Sequence, residues 1–61
     1  MKVPFEELPG KIRAFYYEQD MTGWTIECSP DGLVFICCGP NGLVRHRWVY
    51  DALFEWRLLH E

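Results

Sequence analysis

The chain has 61 residues, 49% apolar and 16% aromatic, with six Lys and Arg against nine Asp and Glu for a net charge of -3. A chain this short holds one domain, buries only about 60% of the surface its unfolded form exposes, and leans on oligomerisation, a metal or disulfides to supplement its core. The acidic balance, concentrated in residues 1–31, argues against a nucleic-acid binder that uses its whole surface.

At the N-terminus, Met1-Lys2-Val3-Pro4-Phe5-Glu6-Glu7 lacks the apolar stretch of a secretion signal, and the apolar run Leu33 to Cys38 is far too short to span a membrane. Three cysteines, none spaced as C-x-x-C, read as reduced thiols, so a cytoplasmic protein with no membrane partner is expected. Within this arm (1–10), Pro4 to Leu8 reads as one helical turn ended by Pro9-Gly10. Lys11 to Gln19 fits a strand, favoured by Phe15-Tyr16-Tyr17, or a helix in which Ile12, Phe15 and Tyr16 share a side. The strand is the preferred reading, which makes 11–49 an antiparallel meander.

Three turn sequences then recur: Asp20-Met21-Thr22-Gly23, Ser29-Pro30-Asp31-Gly32 and Gly39-Pro40-Asn41-Gly42. The last two place Pro second and Gly fourth, which suits a type I turn closed by a left-handed glycine. Between them, Trp24 to Cys28, Leu33 to Cys38 and Leu43 to Val49 are rich in β-branched and aromatic residues and read as strands. Pairing Ser29 with Leu33 and Gly39 with Leu43 sets the register. One face then carries Trp24, Ile26, Cys28, Val34, Ile36, Cys38, Val44, His46 and Trp48, and is the expected core face. The outer face carries Thr25, Glu27, Ser29, Leu33, Phe35, Cys37, Leu43, Arg45, Arg47 and Val49, with an apolar stripe of Leu33, Phe35 and Cys37 down the central strand.

Residues 50–61 read as a C-terminal helix capped by Asp51, with Ala52, Leu53, Trp56, Leu59 and His60 towards the sheet and Phe54 and Leu58 on the other side. The expected fold class is thus α+β, a small antiparallel meander of three to four strands with a C-terminal helix packed on one face. Were residues 11–19 helical, the order of helix, three strands and helix would resemble the double-stranded-RNA-binding domain. That family carries a Lys-rich segment at the start of its last helix, where this chain has Tyr50-Asp51-Ala52-Leu53-Phe54-Glu55, so the resemblance stays topological.

Among candidate sites, Cys28 and Cys38 share the expected core face about 13 Å apart along the strand, too far for a disulfide, which leaves Cys37 as the thiol able to meet a partner chain. Cys38, His46 and His60 converge on the core side as a candidate zinc or thiol site, although their spacing matches no zinc pattern and no cofactor is expected. Arg45 and Arg47 flank Phe35 on the outer face, where a sheet-face nucleic-acid binder would place them. With only six cations in the chain, against about 6 to 10 phosphate contacts for a strongly salt-dependent binder, cross-strand charge pairing is the better account.

What remains is apolar surface: Leu33, Phe35 and Cys37 on the sheet, Phe54 and Leu58 on the helix, with Arg45 and Arg47 beside them. Monomers seldom expose large apolar patches, and interfaces are enriched in aromatics and Arg. The sequence therefore predicts a small acidic non-enzymatic interaction module, a homodimer that acts by binding another protein. Bacteriophage and mobile-element inhibitors of host enzymes or defence complexes are the analogy for its setting.

Overall fold

The computed structural model describes residues 1–53 and 55–60, the last of these by its backbone alone. After one 3-10 turn at Phe5–Glu7, helix α1 spans Gly10–Tyr16, and four strands come next: β1 Thr25–Cys28, β2 Val34–Cys38, β3 Val44–Asp51 and β4 Glu55–His60. They form one antiparallel sheet in the order β1-β2-β3-β4. Residues 1–3 extend it beyond β1, where Lys2 bridges Glu27, Val3 N–H donates to Ile26 O at 2.9 Å and Cys28 N–H donates to Met1 O at 2.8 Å. No described helix is long and apolar enough to cross a membrane.

The antiparallel sheet and the short N-terminal turn agree with the sequence reading, and two other elements exchange type. Residues 10–16 are helical because Leu8, Ile12 and Tyr16, spaced by four, bury together at 4%, 0% and 3% exposure. The run Phe15-Tyr16-Tyr17 favours a strand; the long-range bonds of Tyr16 to β3 decide for the helix. At the C-terminus the expected helix is a strand. Asp51 does accept the cap-like hydrogen bond, from Leu53 N–H at 2.7 Å, but the chain then reverses, with Glu55 at a left-handed φ of 61°. Alternate residues Trp56 and Leu58 then pack against the core beside Tyr50 and Trp48, and β3 gains a partner for its edge. Without a terminal helix the resemblance to the double-stranded-RNA-binding domain ends there.

Both turns expected to end in left-handed glycines do so, with Gly32 at φ 76° and Gly42 at φ 83°. The first hairpin holds one more residue than expected. Ser29 N–H donates to Val34 O at 2.9 Å, and Val34 N–H returns a bond to Ser29 Oγ at 3.1 Å. Asp31 gathers Leu33 N–H at 3.0 Å and, very closely, the Ser29 hydroxyl. Ser29 thus closes on Val34 rather than Leu33, and Cys28 pairs with Phe35. A one-residue slip turns a whole strand over: Phe35 and Cys37 point to the covered face, whereas Val34, Ile36 and Cys38 take the open one.

The second hairpin cancels this shift. Cys38 pairs with Val44 as expected, but the register then jumps, so that Cys37 pairs with His46 and Phe35 with Trp48. Arg45 is the extra residue of that bulge. His46 and Trp48 therefore keep their expected side while β2 between them is reversed.

Candidate interaction surface

Beneath α1 lies a small polar knot in an apolar core. Trp48 Nε1–H donates to Tyr16 Oη at 3.0 Å, and Oη lies 2.9 Å from His46 Nδ1. The phenol oxygen thus sits between the indole N–H and the imidazole, and which of Tyr16 and His46 donates in the second contact follows the His46 tautomer. Trp24 stacks on the imidazole at 6.1 Å between ring centroids, and Phe15 meets it edge-on at 5.8 Å. Burial pushes the Tyr16 hydroxyl well above its ordinary range against the opposing Trp48 bond, and burial likewise pushes the Cys37 thiol up. Both groups are held protonated and away from solvent, so the knot fastens helix to sheet and offers no activated nucleophile.

The expected zinc or thiol cluster does not assemble. Cys38 lies on the open face and His46 on the covered one; His60 is the cross-strand partner of His46 by backbone register. No group of metal-binding side chains occurs among the described residues. Cys28, Cys37 and Cys38 are all free thiols, and Cys37, expected to face outward, is fully buried.

The open face is the larger feature. Its cross-strand rows read Thr25, Cys38, Val44; then Glu27, Ile36, Arg47, Leu59; then Val34, Val49, Arg57. Val34, Ile36 and Cys38 run down the central strand, half-buried by their neighbours alone, and Val44 and Leu59 are 36% and 41% exposed. Its charges are opposed in kind: Glu27 and Arg47 flank Ile36 in one row, and Arg57 Nη1 lies 3.6 Å from Asp51 Oδ2.

Of the expected interface residues, Arg47 lies on this face and Arg45 in the bulge beside it. Leu33 is exposed at 47% in the first hairpin loop. Phe35, at 7% exposure, is covered, so it cannot stack on a base beside the arginines, and Leu58 packs against the core rather than forming an outer patch. Phe54 lies outside the described residues. Val34, Ile36, Cys38 and Leu59 were missed. The available signal was that β2 is apolar on both sides: whichever set the register buries, the other set shows.

No protein-family model matches the chain, and neither a characterised protein nor a solved structure matches it.

Proposed function

We propose that the protein is a binding module that self-associates through the open face of its sheet. The observation that carries this is the aliphatic row Val34, Ile36 and Cys38 on the central strand, bordered by Val44, Val49 and Leu59 and left uncovered by α1. Apolar area of this kind gains free energy when it leaves water, on the order of 25 cal/mol per Å².

Charge balance selects the occupant. A face whose Glu27 opposes Arg47 across Ile36, and whose Arg57 sits near Asp51, favours neither a strongly acidic nor a strongly basic partner. It does suit a second copy of itself. A two-fold axis along the strands lays the β1 border of one copy, with Glu27, over the β4 border of the other, with Arg57. Four short strands make a plate roughly 15–20 Å on a side, which places the contact at the small end of interfaces, below about 1,200 Å² in total, where association is weak. The dimer is therefore expected to be concentration-dependent. An inhibitory action on a host protein has no residue of its own to rest on here.

Sedimentation equilibrium from micromolar to millimolar concentration tests this reading. The wild type shifts from monomer to dimer, and Ile36→Glu stays monomeric with an unchanged far-UV circular dichroism spectrum. A wild type that remains monomeric at millimolar concentration overturns it, as does an Ile36→Glu variant that dimerises as the wild type does.

A further inference from the structure

The hairpins at the two ends of β2 are built alike. Each turn reads Pro, then Asp or Asn, then a left-handed Gly: Pro30-Asp31-Gly32 with φ 76° and Pro40-Asn41-Gly42 with φ 83°. The glycine N–H donates back across each turn, Gly32 to Ser29 O at 3.0 Å and Gly42 to Gly39 O at 2.9 Å. The side-chain oxygen of the middle residue accepts from the residue after the glycine, Asp31 from Leu33 N–H at 3.0 Å and Asn41 from Leu43 N–H at 3.1 Å. The chemistry of that side chain is where they differ. Asp31 is a carboxylate, kept ionised to lower pH than usual by the Ser29 hydroxyl and then by Leu33 N–H, and an ionised carboxylate resists a nucleophile. Asn41, the one asparagine of the chain, is a neutral amide that can lose ammonia.

The turn also positions Asn41 for attack. Its bond from Leu43 N–H folds the side chain back towards the main chain at Gly42, and that N–H points at the oxygen on which negative charge develops when the amide carbon is attacked. The neighbouring nucleophile is the Gly42 nitrogen. Asn41 and Gly42 are exposed, and no described atom lies within 4 Å of where a Cβ on Gly42 would stand, so nothing shields this nitrogen from water and hydroxide. One restraint opposes the reaction: Gly42 N–H is engaged with Gly39 O and must let go first.

We propose that Asn41 is a site of self-modification, at which the Gly42 nitrogen displaces ammonia from the side-chain amide at a pace set by the Gly42 to Gly39 bond of the folded turn. The nitrogen bonds to Asn41 Cγ, the Cγ–Nδ2 bond breaks, and the Gly42 N–H proton leaves with the ammonia. Water then opens the cyclic imide. Cleavage of the bond from nitrogen to Cγ leaves aspartate, and cleavage of the bond to the main-chain carbonyl leaves isoaspartate, whose main chain runs through the former side chain and is one carbon longer. Either product adds one negative charge to a chain whose net charge is -3. Isoaspartate also lengthens the loop that Gly39 N–H closes on Leu43 O at 2.9 Å, beside the register jump at Cys38. None of these steps depends on the open face.

The test is peptide mapping by mass spectrometry of the whole chain held at mildly alkaline pH, native and in guanidinium chloride, with isoaspartate distinguished from aspartate by fragmentation. Asn41 is expected to convert in the native protein about two- to ten-fold more slowly than in denaturant, the factor that one turn hydrogen bond is worth. Asp31 stays unchanged beside it. Pro40→Gly releases the fixed φ of the turn, so in protein whose far-UV circular dichroism remains native it raises the native rate towards the denatured one, and it leaves the denatured rate unaltered. The proposal is overturned if native Asn41 stays unconverted for longer than about ten half-lives of the denatured chain, or if native and denatured wild type convert equally fast. It is also overturned if Asp31 yields isoaspartate as fast as Asn41, or if folded Pro40→Gly converts no faster than the wild type.

Discussion

Tyr16 on the helix and Trp48 on the third strand are joined by one hydrogen bond of 3.0 Å across 32 positions of sequence, and the same phenol oxygen lies 2.9 Å from His46 Nδ1. Both rings are 3% exposed, so neither the indole N–H nor the hydroxyl has water as a ready substitute. Removing the hydroxyl in Tyr16→Phe strands the Trp48 donor and takes a partner from His46. A buried polar group left unsatisfied costs about 1–3 kcal/mol, and that is the expected loss in a urea titration. The double variant with Trp48→Phe is expected to cost less than the sum of the two singles, because each removes the same bond. Additive losses would show that the bond contributes nothing to stability.

The same burial sets a pH dependence on the alkaline side. Cys37 has an ordinary value of 9.0 and Tyr16 one of 10.0, and the fold raises both by taking their charged forms out of water. A group with a raised value binds its proton more tightly when folded, so its contribution is fully present below the unfolded value and is lost as pH rises through the folded one. The urea midpoint is expected to hold near neutrality and to fall progressively above about pH 9, first through Cys37 and then through Tyr16. Cys37→Ala starts from a lower midpoint because it leaves a small cavity, and its decline between pH 8 and 10 is shallower than that of the wild type. Parallel curves would remove Cys37 from the account.

How far the sequence determines this fold depends on the range of the forces at each place. The turns at Gly32 and Gly42 are legible because left-handed φ is a local demand that glycine meets. Asp51 is legible as a cap-like acceptor for the same reason, although its bond to Leu53 opens a hairpin instead of a helix. The conformation of the segment after Asp51 is not decided locally: Trp56 and Leu58 satisfy a helical or an alternating pattern equally, and the choice rests with β3, Tyr50 and Phe35. Likewise Phe15-Tyr16-Tyr17 favours a strand while Ile12, Phe15 and Tyr16 share a side of a helix, and bonds reaching across to Trp48 and His46 settle the matter. The open face was legible as a quantity of apolar surface but not as a set of residues, because one added residue in the Ser29 hairpin and one bulge at Arg45 exchange the two sides of β2.

That exchange can be read directly from the thiols. In the structure Cys37 is fully buried beneath α1, whereas Cys38, its neighbour in sequence, lies half-buried on the open face and Cys28 half-buried at the end of β1. Alkylation requires the thiolate and a path to it, and Cys37 is denied both by burial. Iodoacetamide at mildly alkaline pH is therefore expected to modify Cys38 and Cys28 in the native protein, with Cys37 reacting only when urea unfolds the chain; fragmentation of the shared peptide tells the two neighbours apart. Cys38 should also react more slowly as protein concentration rises, because a second copy laid on the open face covers it, and Ile36→Glu should abolish that protection. Native modification of Cys37 with Cys38 spared would mean that β2 presents Leu33, Phe35 and Cys37 outward, the register in which Ser29 closes on Leu33. It would overturn the open-face composition on which the dimer rests.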